Sequence, residues 1–145
     1  MKLPEYVTKD EVRRVCAELG LRDWTELTEP EVTADEAAKV LAELDTMGLD
    51  VDPEEFRKGL GIELEHGIMF PGANVSNNHP VLTGMIVMAH LKETLDYYRL
   101  LEVAELEGDM LKAAVAGDSA KLSAKYAALV RAREELAAAQ ARQLG

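Results

Sequence analysis

Apolar residues recur with the period of an α-helix along most of the chain, whereas the strict alternation typical of a β-strand is almost absent. A capping box, Thr8 with Glu11, precedes the first apolar pattern, and Gly20 ends it. A second capping box, Thr33 with Glu36, precedes the second pattern. The pattern therefore predicts an all-α fold.

The second and third helices are bounded by further signals. Gly48 is predicted to end the second helix. Asp52 is predicted to cap the third, with Pro53 in its first turn, because a proline there loses no hydrogen bond that the helix could make. We expect this third helix to run to His66 and to end at Gly67.

Residues 67–80 form one long irregular stretch that exceeds the roughly 2–8 residues usual between two helices. Pro80 suits the first turn of a fourth helix. From residue 81 to about 107, Gly84 is the only helix breaker, and the first half of this segment is apolar on almost every side. We therefore expect one central helix over 81–107 that is the most buried of the bundle.

A final helical pattern begins near Asp109, breaks at 117–118 and resumes over about 119–143. Its spacing predicts a short coiled-coil seam that packs on the domain or pairs with a second copy in a homo-dimer. The seam positions are Leu122, Tyr126, Leu129, Arg133, Leu136 and Gln140. The sequence thus predicts one helical domain over residues 1–145, a single-domain bundle of about five helices with one long loop, 67–80.

Composition narrows the classes of partner. The chain has 145 residues, 48% of them hydrophobic, which suffices for one core. Its formal net charge of −11 argues against nucleic acid and anionic membrane, since both bind basic surfaces. The charge is uneven: residues 1–110 hold 24 Asp/Glu and 10 Lys/Arg, and residues 111–145 hold 3 and 6. The acidic part is therefore predicted to attract a basic segment.

Cys16 is the only cysteine, so no intramolecular disulfide can form. The N-terminal residues 1–6 lack the apolar stretch of a secretory signal, and no run approaches the roughly 18 apolar residues of a membrane span. We expect a cytoplasmic protein. The sequence contains no glycine-rich phosphate loop and no nucleotide or flavin signal.

Two short blocks place a carboxylate and an imidazole one helical turn apart. They are Glu63-Leu64-Glu65-His66 and His90-Leu91-Lys92-Glu93. Residues three apart share one face of a helix, so two such helices would offer two nitrogens and two carboxylates to a cation. Iron, manganese and zinc accept this donor set. The candidate metal ligands are Glu63, His66, His90 and Glu93, and no particular reaction is indicated.

Four further residues are candidates to support this site or to complete a second metal position. Tyr97 would donate a hydrogen bond from a neighbouring turn, and His79 would fold over from the loop as a third imidazole. A dinuclear centre would need additional ligands from Glu65, from Asp96 or from a second subunit.

The same residues also fit a metal-free, buried Glu/His network, because His66 before a terminating glycine suits a helix C-terminus by its charge alone. A tight antiparallel hairpin would moreover place His66 opposite residue 81, roughly 13 Å along the axis from His90. A shared site therefore requires the loop to tilt or stagger the fourth helix, or two subunits to share the ligands.

Several blocks together resemble a family of small helical proteins of bacteria and phages whose function is unknown. The blocks are Glu55-Phe56-Arg57-Lys58-Gly59-Leu60, Glu63-Leu64-Glu65-His66-Gly67, Asn74-Val75-Ser76-Asn77, Leu82-Thr83-Gly84, Ala89-His90-Leu91-Lys92-Glu93 and Asp96-Tyr97-Tyr98, within residues 33–102. The resemblance implies that the two Glu/His blocks act as one unit. The chain is more loosely similar to ferritin-like carboxylate proteins, although only Glu63-x-x-His66 has their residue order.

We therefore expect a metal-binding helical protein with a Glu/His site between two helices, in an iron- or manganese-dependent redox or storage role. The alternative is a metal-free structural or interaction module, of phage origin or part of an assembly, in which the same residues form a polar network.

Overall fold

A computed structural model describes residues 4–145, and within this range every regular element is a helix. The α-helices are α1 (Lys9–Leu19), α2 (Ala34–Ala42), α3 (Pro53–Met69), α4 (Pro80–Glu93), α5 (Tyr97–Val115) and α6 (Ser119–Leu144), with short 3-10 helices at Trp24–Glu26 and Pro71–Ala73. The all-α prediction is confirmed, but the described chain has six α-helices instead of five. None of the helices in residues 4–145 is long and apolar enough to cross a membrane.

The chain divides into two compact units, and the boundary along the sequence lies between Glu93 and Thr94. The first contains α1–α4, and the second contains α5 and α6. Whether the two units form the single predicted domain stays a prediction. Residues 1–3 of the N-terminal stretch lie outside the described range.

The predicted starts of α1, α2 and α3 are correct, whereas the start predicted near Asp109 is wrong because that residue lies inside α5. The Thr8 side chain accepts a hydrogen bond from the backbone N–H of Glu11. Thr33 and Glu36 form the complete reciprocal capping box. Asp52 caps α3 by accepting from the N–H of the second residue that follows it. These starts depend on short-range side-chain to backbone bonds, which a sequence pattern can show directly.

Two predicted helix ends are wrong. α2 stops at Ala42, where the next two N–H groups bond three residues back and tighten the last turn. Gly48, with φ of 75°, belongs to a separate turn beyond it. α3 continues through Gly67 to Met69. Side chains of the following loop fill the space where a Cβ of Gly67 would lie, so this glycine permits close packing and does not end the helix. The connection to α4 is therefore 70–79 and not 67–80.

The predicted long helix over 81–107 is also wrong, because it breaks between α4 and α5. The Thr94 hydroxyl accepts a hydrogen bond from the N–H of Asp96 at 3.3 Å, and the Thr94 carbonyl accepts from the N–H of Tyr97 at 3.1 Å. Threonine and aspartate side chains compete in this way with the helical hydrogen bonds of the backbone. No glycine or proline marks this break, which explains why the sequence pattern missed it.

The core of the first unit lies where α4 crosses its neighbours at Gly84. A Cβ at Gly84 would lie 2.8 Å from Leu44 Cδ1, 2.9 Å from Val40 Cγ1 and 3.4 Å from Phe56 Cζ. The glycine thus lets α2 and α3 approach α4 closely. A second close approach is at Gly61, whose Cβ would meet the Pro30 carbonyl oxygen at 2.7 Å.

α4 is not buried on all sides, contrary to expectation. Val87, Met88 and Leu91 face the core, but Met85 is 55% exposed and Ile86 is 43% exposed. A helix that is apolar all round normally buries its whole surface. The second face of α4 is therefore an apolar surface that the described residues of the first unit leave open.

In the second unit, α5 and α6 pack together as a hairpin, and the predicted seam is half right. Leu122, Leu129 and Leu136 are buried or half-buried, as expected. The intervening inward positions are Lys125, Ala132 and Ala139, whereas Tyr126, Arg133 and Gln140 lie exposed. Alanine at two of these inward positions permits close approach of α5. Pairing with a second copy through α6 stays a prediction.

Candidate functional site

The structure brings together one carboxylate and one imidazole of the predicted constellation. Glu63 on α3 and His90 on α4 lie 3.1 Å apart, measured from Oε1 to Nδ1. Their side chains are 17% and 28% exposed, so the pair sits at the margin of the core. This distance is that of a hydrogen bond. The same contact is an ion pair when the imidazole is protonated.

The other two predicted ligands do not join this pair. His66 and Glu93 are exposed, as is Glu65. Within residues 4–145, no group of three or more His, Cys, Asp or Glu side chains could hold a metal ion. Binding of a metal by Glu63, His66, His90 and Glu93 together stays a prediction.

The way α4 crosses α3 explains which of these residues meet. Phe56 approaches Gly84 and Glu63 contacts His90, so both contacts advance in the same direction along the two helices. In an antiparallel hairpin, they would advance in opposite directions. α4 is thus tilted across α3, as a contact between the two blocks required. This crossing brings Glu63 to His90, whereas His66 and Glu93, one turn away on each helix, lie at exposed positions.

His79 caps α4 and does not fold over the Glu63–His90 pair as predicted. Its Nδ1 accepts a hydrogen bond from the N–H of Leu82 at 3.3 Å, and its carbonyl accepts from the N–H of Thr83. Burial lowers the pKa of His79, and the nearby Glu11 carboxylate opposes that effect. An accepting Nδ1 fits the neutral imidazole that burial favours.

Asp96 and Tyr97 belong to the second unit. Asp96 is buried and accepts hydrogen bonds from Gln143 at 2.7 Å and from Arg99 at 3.4 Å. The ring of Tyr97 packs edge-on against Tyr98, with 5.2 Å between centroids. Of these contacts, the one between Asp96 and Gln143 joins the start of α5 to α6 within the unit. A supporting role for Asp96 and Tyr97 at the Glu63–His90 pair stays a prediction.

The asparagines of the loop between α3 and α4 form a structural network. Asn74 Nδ2 donates to Asn78 Oδ1 at 2.9 Å, and Asn78 Nδ2 donates to the Trp24 carbonyl at 3.3 Å. Asn77 Nδ2 donates to the carbonyl of Val7 and to the Glu5 carboxylate. Both Asn77 and Asn78 adopt positive φ, which asparagine tolerates better than most residues. This loop therefore ties α3 to the N-terminal segment.

Glu36 has a larger role than the capping box predicted from the sequence. Its carboxylate accepts hydrogen bonds from Arg22, Thr33 and Trp24, although its residue is only 4% exposed. Burial by itself would raise the pKa of Glu36, but these hydrogen bonds outweigh it and lower the pKa from 4.5 to about 2. No local pattern indicates the Arg22 and Trp24 contacts, because both residues come from an earlier turn of the chain.

An apolar depression in the first unit lies on the open face of α4. It encloses about 620 Å³ between α4 and the segment after α2. Its apolar lining comes from Leu44, Met47, Val81, Met85, Met88 and Ala89. We call this depression the α4 groove. Sequence reasoning missed it because its signal, a helix apolar on every side, was interpreted as complete burial.

The fold and this surface define a small helical protein with an open apolar groove and one interhelical Glu/His pair. The chain belongs to a family described as Protein of unknown function (DUF5661), whose match covers residues 12–107. This match confirms the family resemblance and extends beyond the residues on which it was based. Comparisons with curated proteins and with solved structures found no match. The likeness to ferritin-like proteins stays a prediction.

Proposed function

We propose that the chain is a protein-interaction module that needs no metal and whose α4 groove receives the apolar face of an α-helix from a partner protein. The single observation that carries this proposal is the open apolar face of α4, with Met85 55% exposed and Met47 42% exposed in one depression. Exposed apolar surface of this kind marks interaction sites.

The shape of the groove favours a helix as its occupant. Its α4 wall runs from Val81 through Met85 and Met88 to Lys92, one stripe of the helix. The eleven steps from Val81 to Lys92, at about 1.5 Å each, give a length of roughly 16 Å, or three turns of a bound helix. Methionine side chains adapt to irregular partners, as in other grooves that bind amphipathic helices.

The Glu63–His90 pair has a structural role in this proposal. It joins α3 to α4 at the margin of the core, while the Met85 face of α4 points away from the core. A hydrogen bond at the margin of the core suffices for this purpose.

The experiment is an NMR titration of isotopically labelled methionine methyl groups. The probe is a synthetic helical peptide of about 18 residues with leucines on one stripe and glutamines elsewhere, roughly 27 Å long as a helix. The signals of Met47, Met85 and Met88 should shift, whereas those of Met69 and Met110, which do not line the groove, should not. The proposal fails if the groove signals stay in place, or if all five respond equally.

A matched pair of variants tests whether the peptide binds in the groove. Met85→Gln keeps the length of the side chain but places an amide in the groove, and Met69→Gln makes the same change at a methionine 59% exposed elsewhere. Only Met85→Gln should weaken binding, by about tenfold for the apolar area lost. Equal effects would contradict a site in the groove.

Metal binding is the second candidate, and the Glu63–His90 distance favours it. Two ligands of one tetrahedral zinc ion at about 2.0–2.1 Å from the metal lie roughly 3.3 Å apart, close to the observed 3.1 Å. Elemental analysis of protein purified without a histidine tag tests this candidate. Stoichiometric metal that disappears in a His66→Ala/His90→Ala variant supports it, and protein free of metal removes it.

A further inference from the structure

We infer that the helix bound in the α4 groove is cationic, with lysine or arginine beside its apolar stripe. This inference rests on the proposed function and adds the chemistry of the partner. Three carboxylates border the groove: Glu43 and Asp45 at the end of α2, and Glu93 at the end of α4. Lys92 is the one cation among the lining residues. The border thus carries a net negative charge around an apolar floor.

The charge of the whole first unit reinforces that of the border. Residues 1–93 hold 19 Asp/Glu and 9 Lys/Arg, whereas residues 94–145 hold 8 and 7. Nearly all of the net charge of the chain therefore belongs to the unit that carries the groove. A surplus of this size attracts cationic segments over several ångströms before contact and repels anionic ones.

The border residues are placed to act on a bound helix without taking part in the core. Glu43, Asp45 and Glu93 are all exposed. Asp45 also accepts a hydrogen bond from the N–H of Met47 at 2.8 Å, which holds its carboxylate at the edge of the groove. Because an amide oxygen can replace that acceptor, Asp45→Asn removes the charge and keeps the turn.

The test compares three peptides that share one leucine stripe and differ in their polar face, which is lysine, glutamine or glutamate. Binding is measured from the methyl signals of Met47, Met85 and Met88 in the full chain. We expect the lysine peptide to bind at least about tenfold more tightly than the glutamate peptide, the size expected for three exposed charge pairs.

A charge-matched pair of triple variants separates the border from the general charge of the protein. The first is Glu43→Gln/Asp45→Asn/Glu93→Gln. The control is Glu29→Gln/Glu31→Gln/Asp50→Asn, which removes three exposed carboxylates outside the groove. The first variant should bind the lysine peptide about tenfold more weakly than the wild-type chain does, and its affinity for the glutamine peptide should be nearly unchanged. The control variant should change the affinity for the lysine peptide by less than about threefold.

Each other outcome overturns a defined part of the argument. If all three peptides bind equally, the groove receives helices but the cationic preference is wrong. If both triple variants weaken binding of the lysine peptide equally, the attraction comes from the net charge of the protein and the border does not select the partner. If no peptide shifts the groove signals, the proposed function fails together with this inference. If those signals move with protein concentration alone, the occupant is a second copy and not a separate partner.

Discussion

Replacing Glu36 by glutamine should destabilise the first unit in a way that depends on pH. The carboxylate is buried and holds together Arg22, Trp24 and Thr33. Its pKa, lowered from 4.5 to about 2, corresponds to about 3 kcal/mol of stability at roughly 1.4 kcal/mol per pKa unit. Because glutamine keeps one acceptor oxygen, we expect Glu36→Gln to lower the free energy of unfolding by about 2–3 kcal/mol at pH 7.

The pH dependence follows from the direction of the shift. A carboxylate with a lowered pKa in the folded state stabilises fully above its unfolded pKa of about 4.5. That stability is lost as the pH falls toward the folded pKa of about 2. The difference between the wild-type chain and Glu36→Gln should therefore shrink to less than half by about pH 3.

Urea unfolding followed by tryptophan fluorescence measures this effect directly. Trp24 is the only tryptophan, is fully buried and donates its indole N–H to Glu36. Glu29→Gln removes a carboxylate from an exposed position and serves as the control. A loss below about 1 kcal/mol at pH 7, or a difference that is unchanged at pH 3, would refute the proposed role of the Glu36 contacts.

Two further substitutions test the packing of each unit. Gly67→Ala places a Cβ 2.3 Å from Asn78 Oδ1. After the helix-forming advantage of alanine is subtracted, this change should lower the free energy of unfolding in urea by about 1–2 kcal/mol. Gly72→Ala is the control and should have little effect, because no atom lies within 4 Å of the added Cβ. Asp96→Ala removes the acceptor of Gln143 and should cost about 1–2 kcal/mol. Faster amide exchange at the C-terminal end of α6 would support that contact, and unchanged exchange there would contradict it.

The sequence predicted helix starts well because caps are local. Thr8, Thr33 and Asp52 each bond to an N–H two or three residues further on. Helix ends were predicted less well. Gly67 looks like a terminator but lies inside α3, where the loop asparagines require a residue without a side chain. A single sequence does not distinguish a glycine that permits close packing from a glycine that ends a helix.

The candidate site was also predicted only in part, because the contacts within it depend on the tertiary packing of the helices. The blocks around Glu63 and His90 were correctly expected to meet, and the structure places these two residues 3.1 Å apart. Which members of each block meet depends on the tilt of α4. That tilt is set by the contacts of Gly84 with α2 and α3, which lie far apart in the sequence. The pattern therefore identified the pair of helices but not the set of side chains that meet between them.

The thioethers of the α4 groove carry a chemical consequence of their own. Met47 and Met85 are open to dissolved peroxide, whereas Met88 is 3% exposed and therefore shielded. Oxidation to the sulfoxide would add a polar oxygen to the lining, and sulfoxide reductases could reverse it. The sulfur atoms that let the groove adapt to its ligand thus also leave it sensitive to oxidants.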